Sequence, residues 1–442
     1  MNIKFIIVLV VVLFSHPALA QQSLFSLKSL CEMGSQKNPS IKALDYRILA
    51  SKYHYKQATD KYKPHITFRG NVGYEQYDNK FSSQTLSYKR GLYEYFVDLK
   101  QPIYEPQIIN SITDAKLKLK LSRLEKEDRR AKLIVQIAKT AIELIRLNQI
   151  KVITEKKKKM YQNLLEITQA KYDIRYSDKP TLFQAKAQLK KVQSDLVNIN
   201  QIYRFTLNQL KSLVNTSEIS EKYFKKSFHI NPEELVEYFN PDLYNSQKKK
   251  IDQNTQIGIY KLYLDIAKNN IQKQKIKHYP TVNLDLSYGN SQEESAIKRR
   301  NSYTFMFQLQ FPIYQGGEIS DQVHKARWLY EAAKEDYKNV RLKSNVSFET
   351  DWKQIISSIS TINSTIAAVK AAKVYLDTTI ESFRNGIKNL TDVQLAEASY
   401  YNAKVQLINA EATMLQSLTD LYYYIAMANC DTIGKFESKY LQ

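Results

Sequence analysis

The sequence predicts a mainly α-helical protein carrying a small membrane-type β-sheet, with the whole unit built twice in one chain. Three observations carry this reading. One-sided apolar strands lead directly into very long helical stretches, the arrangement recurs about 210 residues later, and ten glycines and ten prolines in 442 residues leave room for few turns. Low turn content over this length means few, long elements.

The clearest strand is Tyr303, Phe305, Phe307, Leu309 and Phe311 alternating with Thr304, Met306, Gln308 and Gln310, the period-two pattern of a sheet with one apolar face. Pro312 ends it, because proline gives no N–H to a ladder. Past Gly316 and Gly317 a helical pattern continues from 315 to 385. The earlier copy is the strand around Tyr93, Tyr95, Val97 and Leu99, where Pro102, Ile103 and Tyr104 answer Pro312, Ile313 and Tyr314.

In chain order, residues 1–20 read as a secretory signal peptide. Lys4 is the charged start, Ile6 to Phe14 the apolar core and Ala18-Leu19-Ala20 the cleavage site. No later stretch approaches eighteen apolar residues, so an exported chain without a transmembrane helix is expected. Cys31 lies well beyond the cut and is not a lipid-modified first residue. The first repeat, 21–214, holds helices at 24–61 (broken at Asn38-Pro39), 106–173 and 180–214, with strands at 65–77 and 89–101 around a polar loop, 78–87. A punctuated mid-cylinder segment covers 215–250. The second repeat, 251–428, holds helices at 252–277, 315–385 and 390–428, and strands at 281–290 and 302–311 around a loop, 291–300; a tail, 429–442, follows.

The last helix and its counterpart make the duplication explicit. Val393, Ala396, Tyr400, Ala403, Leu407, Ala410, Met414 and Leu421 follow 3-4 spacing with one polar slip, Ser417. Shifted back by 211, they become Leu182, Ala185, Leu189, Val192, Leu196, Ile199, Tyr203 and Leu210, with Thr206 at the slip. Two halves share one coiled-coil seam.

Four strands of about ten residues suit a membrane barrel but cannot close one, which takes about eight. Left open, their edges would expose backbone groups to lipid at several kcal/mol each. The chain is therefore expected to share a barrel with copies of itself. Two copies give eight strands and a filled lumen; three give twelve and a passage. Helices of about 68 residues span roughly 100 Å, so a long helical cylinder is expected to hang from a small barrel. Tyr74, Tyr93, Tyr95, Tyr288 and Tyr303 suit interfacial girdles.

The formal net charge is +21, or +20 once Lys4 leaves with the signal. It is spread over helices, with no nucleic-acid motif. The run Lys156–Lys159 reads as a solvated helix face. The six histidines are scattered, and there is no H-E-x-x-H, no Cys-His metal spacing, no G-x-S-x-G and no phosphate-cradling glycine loop. No catalysis, metal or cofactor is expected. Cys31 and Cys430 are the only cysteines. Helix lengths bring both ends of the chain to mid-cylinder, where the two form either a disulfide or two buried thiols.

The chain resembles the TolC family of outer-membrane efflux and secretion channels over essentially its whole mature length. The resemblance rests on Asn38-Pro39-Ser40-Ile41, Tyr62-Lys63-Pro64-His65-Ile66, Gln101-Pro102-Ile103-Tyr104, Phe311-Pro312-Ile313-Tyr314-Gln315-Gly316-Gly317, and Gly386 through Thr391-Asp392-Val393, in their order and duplication. It implies a homotrimer with a twelve-stranded barrel in outer-membrane lipid and a periplasmic helical tunnel whose coiled-coil tip opens. It further implies docking to a periplasmic adaptor and to an inner-membrane ABC or RND-type transporter.

At the tip the resemblance implies a ring of acidic residues at the closed entrance. Asp392 keeps the first acidic position, Leu395 stands at the second, and Glu397 is a nearby substitute. Lys388 stands where an arginine helps hold the tip shut. In the first half Arg175 replaces the glycine and Thr181 the aspartate. Asp392 has a second reading, as a first-turn acid beside a Thr391–Gln394 capping box, and Gly386 reads as a helix-ending glycine. Against the channel stands one rival from another class, an exported coiled-coil spacer or adhesin.

Overall fold

The computed structural model describes residues 26–81, 84–293 and 299–441; the expected signal peptide, 1–20, lies outside the described residues. The first half runs α1 (Leu27–Lys37), α2 (Pro39–Asp60), β1 (His65–Phe81), β2 (Gln84–Tyr104), α3 (Pro106–Asp173) and α4 (Lys179–Val214). Two short helices follow, α5 (Pro232–Tyr238) and α6 (Pro241–Lys248). The second half is α7 (Thr255–Lys275), β3 (Thr281–Glu293), β4 (Arg299–Gln310), α8 (Glu318–Arg384) and α9 (Leu390–Tyr424), and α10 (Cys430–Tyr440) closes the chain.

The four strands form one antiparallel sheet in the order β1-β2-β3-β4, so the hairpins of the two halves join through β2 and β3. Register places Ile66, Leu99, Leu286 and Phe305 in one row and Phe68, Val97, Tyr288 and Tyr303 in the next. One face is therefore apolar across all four strands. On β1 and β4 it stands bare, with Phe68 70% and Phe305 68% exposed. Tyr288 contacts Tyr95 and Tyr303, with ring centroids 6.2 and 5.0 Å apart, which makes a tyrosine band across three strands.

The opposite face is polar. Asp98 accepts from Arg69 Nε at 2.8 Å and from Ser287 Oγ at 2.7 Å, tying three strands. The apolar residues on this face include Leu92, Phe96 and Met306, and Phe96 lies over Gly289, where a Cβ would come within 2.3 Å of the ring. The backbone of β3 needs glycine at that point.

Two sequence expectations are corrected here. The stretches 78–87 and 291–300 are not simply loops: Asp78 pairs with Ser87 and Phe81 with Gln84, while β3 reaches Glu293 and β4 starts at Arg299. Ladder bonds use only backbone groups, so polar residues extend the hairpins beyond the apolar band. Pro102 does not end its strand either. β2 continues to Tyr104 across a register shift between Pro102 and Tyr104, a bulge that tolerates a residue without an N–H. Pro312 does lie just past its strand, and Gly316 (φ +61°) and Gly317 (φ +88°) make the left-handed turn into α8.

α3 has 68 residues and α8 has 67, each roughly 100 Å long. α3 packs against α2 and α4, and α8 against α7 and α9. The short helices meet end to end at two matched joints. Asn38 caps α2 and donates Nδ2 to the Leu213 carbonyl of α4 at 2.8 Å; Asn254 caps α7 and donates to the Tyr423 carbonyl of α9 at 2.9 Å. Both asparagines are buried. The slip residues Thr206 and Ser417 are buried as well, and Thr206 Oγ1 returns its proton to the Ile202 carbonyl at 2.9 Å.

α8 contains an 18-residue window of mean hydropathy 1.2, so the expectation that nothing approaches a spanning length was too strong. Only a third of that window is buried, and the helix is several times longer than a bilayer core. The stretch 429–442 is not a plain tail either: Asn429 caps α10 by accepting from Thr432 N at 2.8 Å, and Phe436 and Ile433 enter the central core.

Candidate functional site at the helix tip

The end remote from the sheet is built from two turns, α3 to α4 and α8 to α9. Each long helix closes with the same motif. Ile387 N donates to Ser382 O at 2.9 Å and Gly386 N to Phe383 O at 3.1 Å, with Gly386 at φ +79°. In the first half Tyr176 N donates to Lys171 O at 2.8 Å and Arg175 N to Tyr172 O at 2.9 Å, with Arg175 at φ +61°. This is the Schellman closure, in which glycine occupies the left-handed position without strain. Gly386 therefore reads as a helix terminator, and Arg175 does the same work at a steric cost.

The second-half turn is capped by Asn389, not by Thr391. Asn389 Oδ1 accepts from Asp392 N at 2.9 Å, and Asp392 Oδ2 accepts from Asn389 N at 3.0 Å. The expected Thr391–Gln394 box is absent from this turn; Gln394 instead accepts from Gln184 Nε2 of α4 at 3.0 Å, and Thr391 is exposed. The first-half cap is Asp178, whose side chain accepts from Thr181 N at 3.1 Å. The Thr181 side chain, and then its backbone N–H, hold the Asp178 carboxyl below the usual carboxylate range. The acid is thus present in both turns, three positions apart: at the cap in one half, at the third helical residue in the other. Spacing could have found Asn389, since N-x-x-D is itself a capping pattern.

The two turns touch. Lys171 Nζ donates to the Phe383 carbonyl at 2.8 Å and lies 4.4 Å from the centre of the Phe383 ring. The Tyr176 hydroxyl lies 3.0 Å from where a Cβ on Gly386 would stand. Between them is a cleft of about 460 Å³ lined by Lys171, Tyr176, Asp178, Gly386, Lys388 and Thr391, among others. Lys388 Nζ, in the turn before α9, stands 4.0 Å from Asp392 Oδ1. So Gly386, Lys388, Thr391 and Asp392 do gather at the tip. Neither Lys171 nor Tyr176 was singled out by sequence, because only the packing of one turn on the other gives them a role.

Glu397 is not a substitute acid at the entrance. It is 3% exposed, pairs with Lys157 Nζ at 2.7 Å and accepts from Tyr161 Oη at 2.8 Å, both on α3. Burial, with Glu397 beside it, pushes the Tyr161 hydroxyl well up. The Lys156–Lys159 run is accordingly a solvated face only in part, since Lys157 turns inward. Pro102, Pro312, Gly316 and Gly317 lie at the other end of the long helices. Cys31 and Cys430 lie between, buried and as free thiols. Among the described residues no cluster of His, Cys, Asp and Glu is placed to hold a metal.

The turn-closing residues repeat at one displacement: Arg175 and Gly386 close α3 and α8, Asn215 and Ala426 close α4 and α9, each pair 211 apart and each residue at positive φ. A family profile for outer membrane efflux proteins matches the same two halves, residues 31–216 and 248–426. The chain belongs to the outer membrane efflux protein family. Among its relatives, outer membrane protein TolC of Salmonella enteritidis is 25% identical over 301 residues, 64% of this chain and 59% of that protein. The proteases secretion protein PrtF of Dickeya chrysanthemi is 23% identical over 201 residues, 45% of this chain and 43% of that protein. The matched region thus spans less than two thirds of these relatives' own length. The outer membrane protein VceC of Vibrio cholerae has the same fold, with a TM-score of 0.75 at 16% identity over 91% of this chain and 96% of that one. As a member of the efflux protein family the chain is an outer-membrane protein, with its helical part extended into the periplasm.

Proposed function

We propose that three copies of this chain form the outer-membrane exit duct of a tripartite efflux or type I secretion system. The observation that carries the proposal is the open sheet. β1 and β4 each present a free edge, while the face they share is apolar and bare. In lipid such edges must be paired, and the edge of β4 in one copy finds its partner in β1 of the next. Three copies supply twelve strands, enough to leave a passage, whereas two would fill the lumen with side chains. The polar face with Arg69, Asp98 and Ser287 then lines the passage, and the long helices continue it into the periplasm.

The duct conducts passively; neither turn carries a nucleophile–base pair or a phosphate-binding loop. Energy comes from an inner-membrane transporter of the ABC or RND type, reached through a periplasmic adaptor. The family's description as efflux proteins supports efflux, and the name of one relative, a proteases secretion protein, supports protein exit. At the tip, Asp392 beside Lys388 is the charge proposed to face the entrance. The experiment is single-channel recording of the purified protein in planar bilayers. A small conductance that cations reduce supports the closed duct; no conductance from a membrane-inserted protein returns the chain to the spacer reading.

A further inference from the structure

α1 and α10, the first and last described helices, run antiparallel in close contact. Lys28 Nζ meets Asp431 Oδ1 at 2.6 Å, and Leu27 N donates to Glu437 Oε2 at 2.6 Å. The two helices come close at Lys28 and Gly434, where a Cβ on the glycine would stand 3.3 Å from the Lys28 Cβ. One turn along α1 from Lys28 is Cys31; one turn back along α10 from Gly434 is Cys430. In an antiparallel pair these steps lead to the same level, and both cysteines enter one continuous buried cluster with Leu27, Leu30, Ile433 and Phe436. No role in conduction needs two thiols there.

We propose that Cys31 and Cys430 are an oxidation site, closed to a disulfide in the exported protein, which staples the two ends of the chain at mid-length. The compartment favours it, because an outer-membrane protein folds in an oxidising envelope where paired cysteines persist as disulfides. The oxidant is the disulfide of a thiol–disulfide oxidoreductase. Cys430 is the attacking sulfur: the adjacent Cys31 thiol, with help from Ser35 and Arg130, lowers it to about 7, whereas Cys31 is pushed well up. Cys430 also opens α10, and a helix N-terminus favours thiolate. The Cys430 thiolate attacks one sulfur of the oxidant's disulfide, forming a mixed disulfide and releasing the other sulfur as thiolate. Cys31 then passes its proton to a departing thiolate and attacks Cys430 Sγ. The Cys31–Cys430 bond forms, the mixed disulfide breaks, and the oxidant leaves as a dithiol. The exchange takes place as α10 docks, before both sulfurs are covered.

The bridge encloses almost the whole described chain, so it restricts the unfolded state and prevents α10 from peeling away from α1. The test is made on full-length protein isolated from outer membranes, denatured in the presence of N-ethylmaleimide. The expected result is a chain that takes no label and yields one joined peptide containing Cys31 and Cys430, separable by dithiothreitol. The Cys31→Ser variant should expose Cys430 to the label, which controls for access. Labelling of both cysteines in the unaltered protein would overturn the proposal. A second readout is thermal unfolding: reduction should lower the midpoint of the unaltered chain and leave a Cys31→Ala, Cys430→Ala variant unmoved. An equal response in both would show that no staple exists.

Discussion

Glu397 on α9 and Tyr161 on α3 are joined at 2.8 Å inside the lower coiled-coil core, with Lys157 closing the other side of the carboxylate at 2.7 Å. The contact ties the helix that follows the second turn to the helix that precedes the first. Lys157 also lies 5.6 Å from the ring centre of Tyr401. Any movement that separates the two hairpins at the tip must break this group or carry it along.

Glu397→Gln therefore leaves the Lys157 charge without its partner. Removing one member of a buried pair costs about 3 kcal/mol or more, reduced here because Lys157 retains 27% side-chain exposure. A loss of about 2 kcal/mol and a lower thermal midpoint are expected, with Tyr161→Phe losing about 1 kcal/mol. An unaltered midpoint in Glu397→Gln would remove the contact from the account.

The two Schellman turns make opposite predictions for glycine. Arg175→Gly relieves a left-handed arginine and should stabilise by about 1 kcal/mol. Gly386→Ala should destabilise by about 1 kcal/mol or more, because φ is +79° and the Tyr176 hydroxyl lies 3.0 Å from the added carbon. Denaturant titration of both variants reads the signs, and two shifts of the same sign would refute the shared motif.

Asp392→Asn keeps an oxygen to accept from Asn389 N and removes the charge beside Lys388. It should leave folding almost unaltered and weaken block of the conductance by divalent cations. Unchanged block in planar bilayers would confine Asp392 to capping.

Glu411 on α9 is raised to about 7 by burial, from 4.5. Folding then favours the protonated acid, so its contribution to stability is complete below pH 4.5, declines as pH rises to about 7 and is flat above. The size is at most about 3 kcal/mol per protomer. Asp351, raised to about 6 by burial and by Asp420, adds in the same direction. Thermal midpoints should fall between pH 5 and 7 in the unaltered protein, and less so in Glu411→Gln; identical slopes would contradict the assignment.

The strands, the long helices and the duplication were legible because each rests on periodicity over many residues. Phe305 and Phe307 announce a face, and the seam through Val393 and Val192 announces another. Single positions were harder. Asn389 and Thr391 are both good caps, and only backbone geometry chose between them. The polarity of Glu397 is visible in sequence, while the burial that Lys157 and Tyr161 impose on it comes from residues far away in the chain. The bulge at Pro102 leaves no composition mark, so a proline there looks like a stop. The hairpin ends look like loops because ladder bonds need no apolar residues. α10 is short and shows no seam of its own, because its partner α1 lies at the other end of the chain.

The most direct test of the central claim is the mass of the detergent-solubilised full chain by native mass spectrometry. Three copies in one particle, lost only on strong denaturation, is the expected result, since in the proposed barrel β4 of each copy closes on β1 of the next. A stable single copy, with both sheet edges free, would contradict the shared barrel and the duct with it.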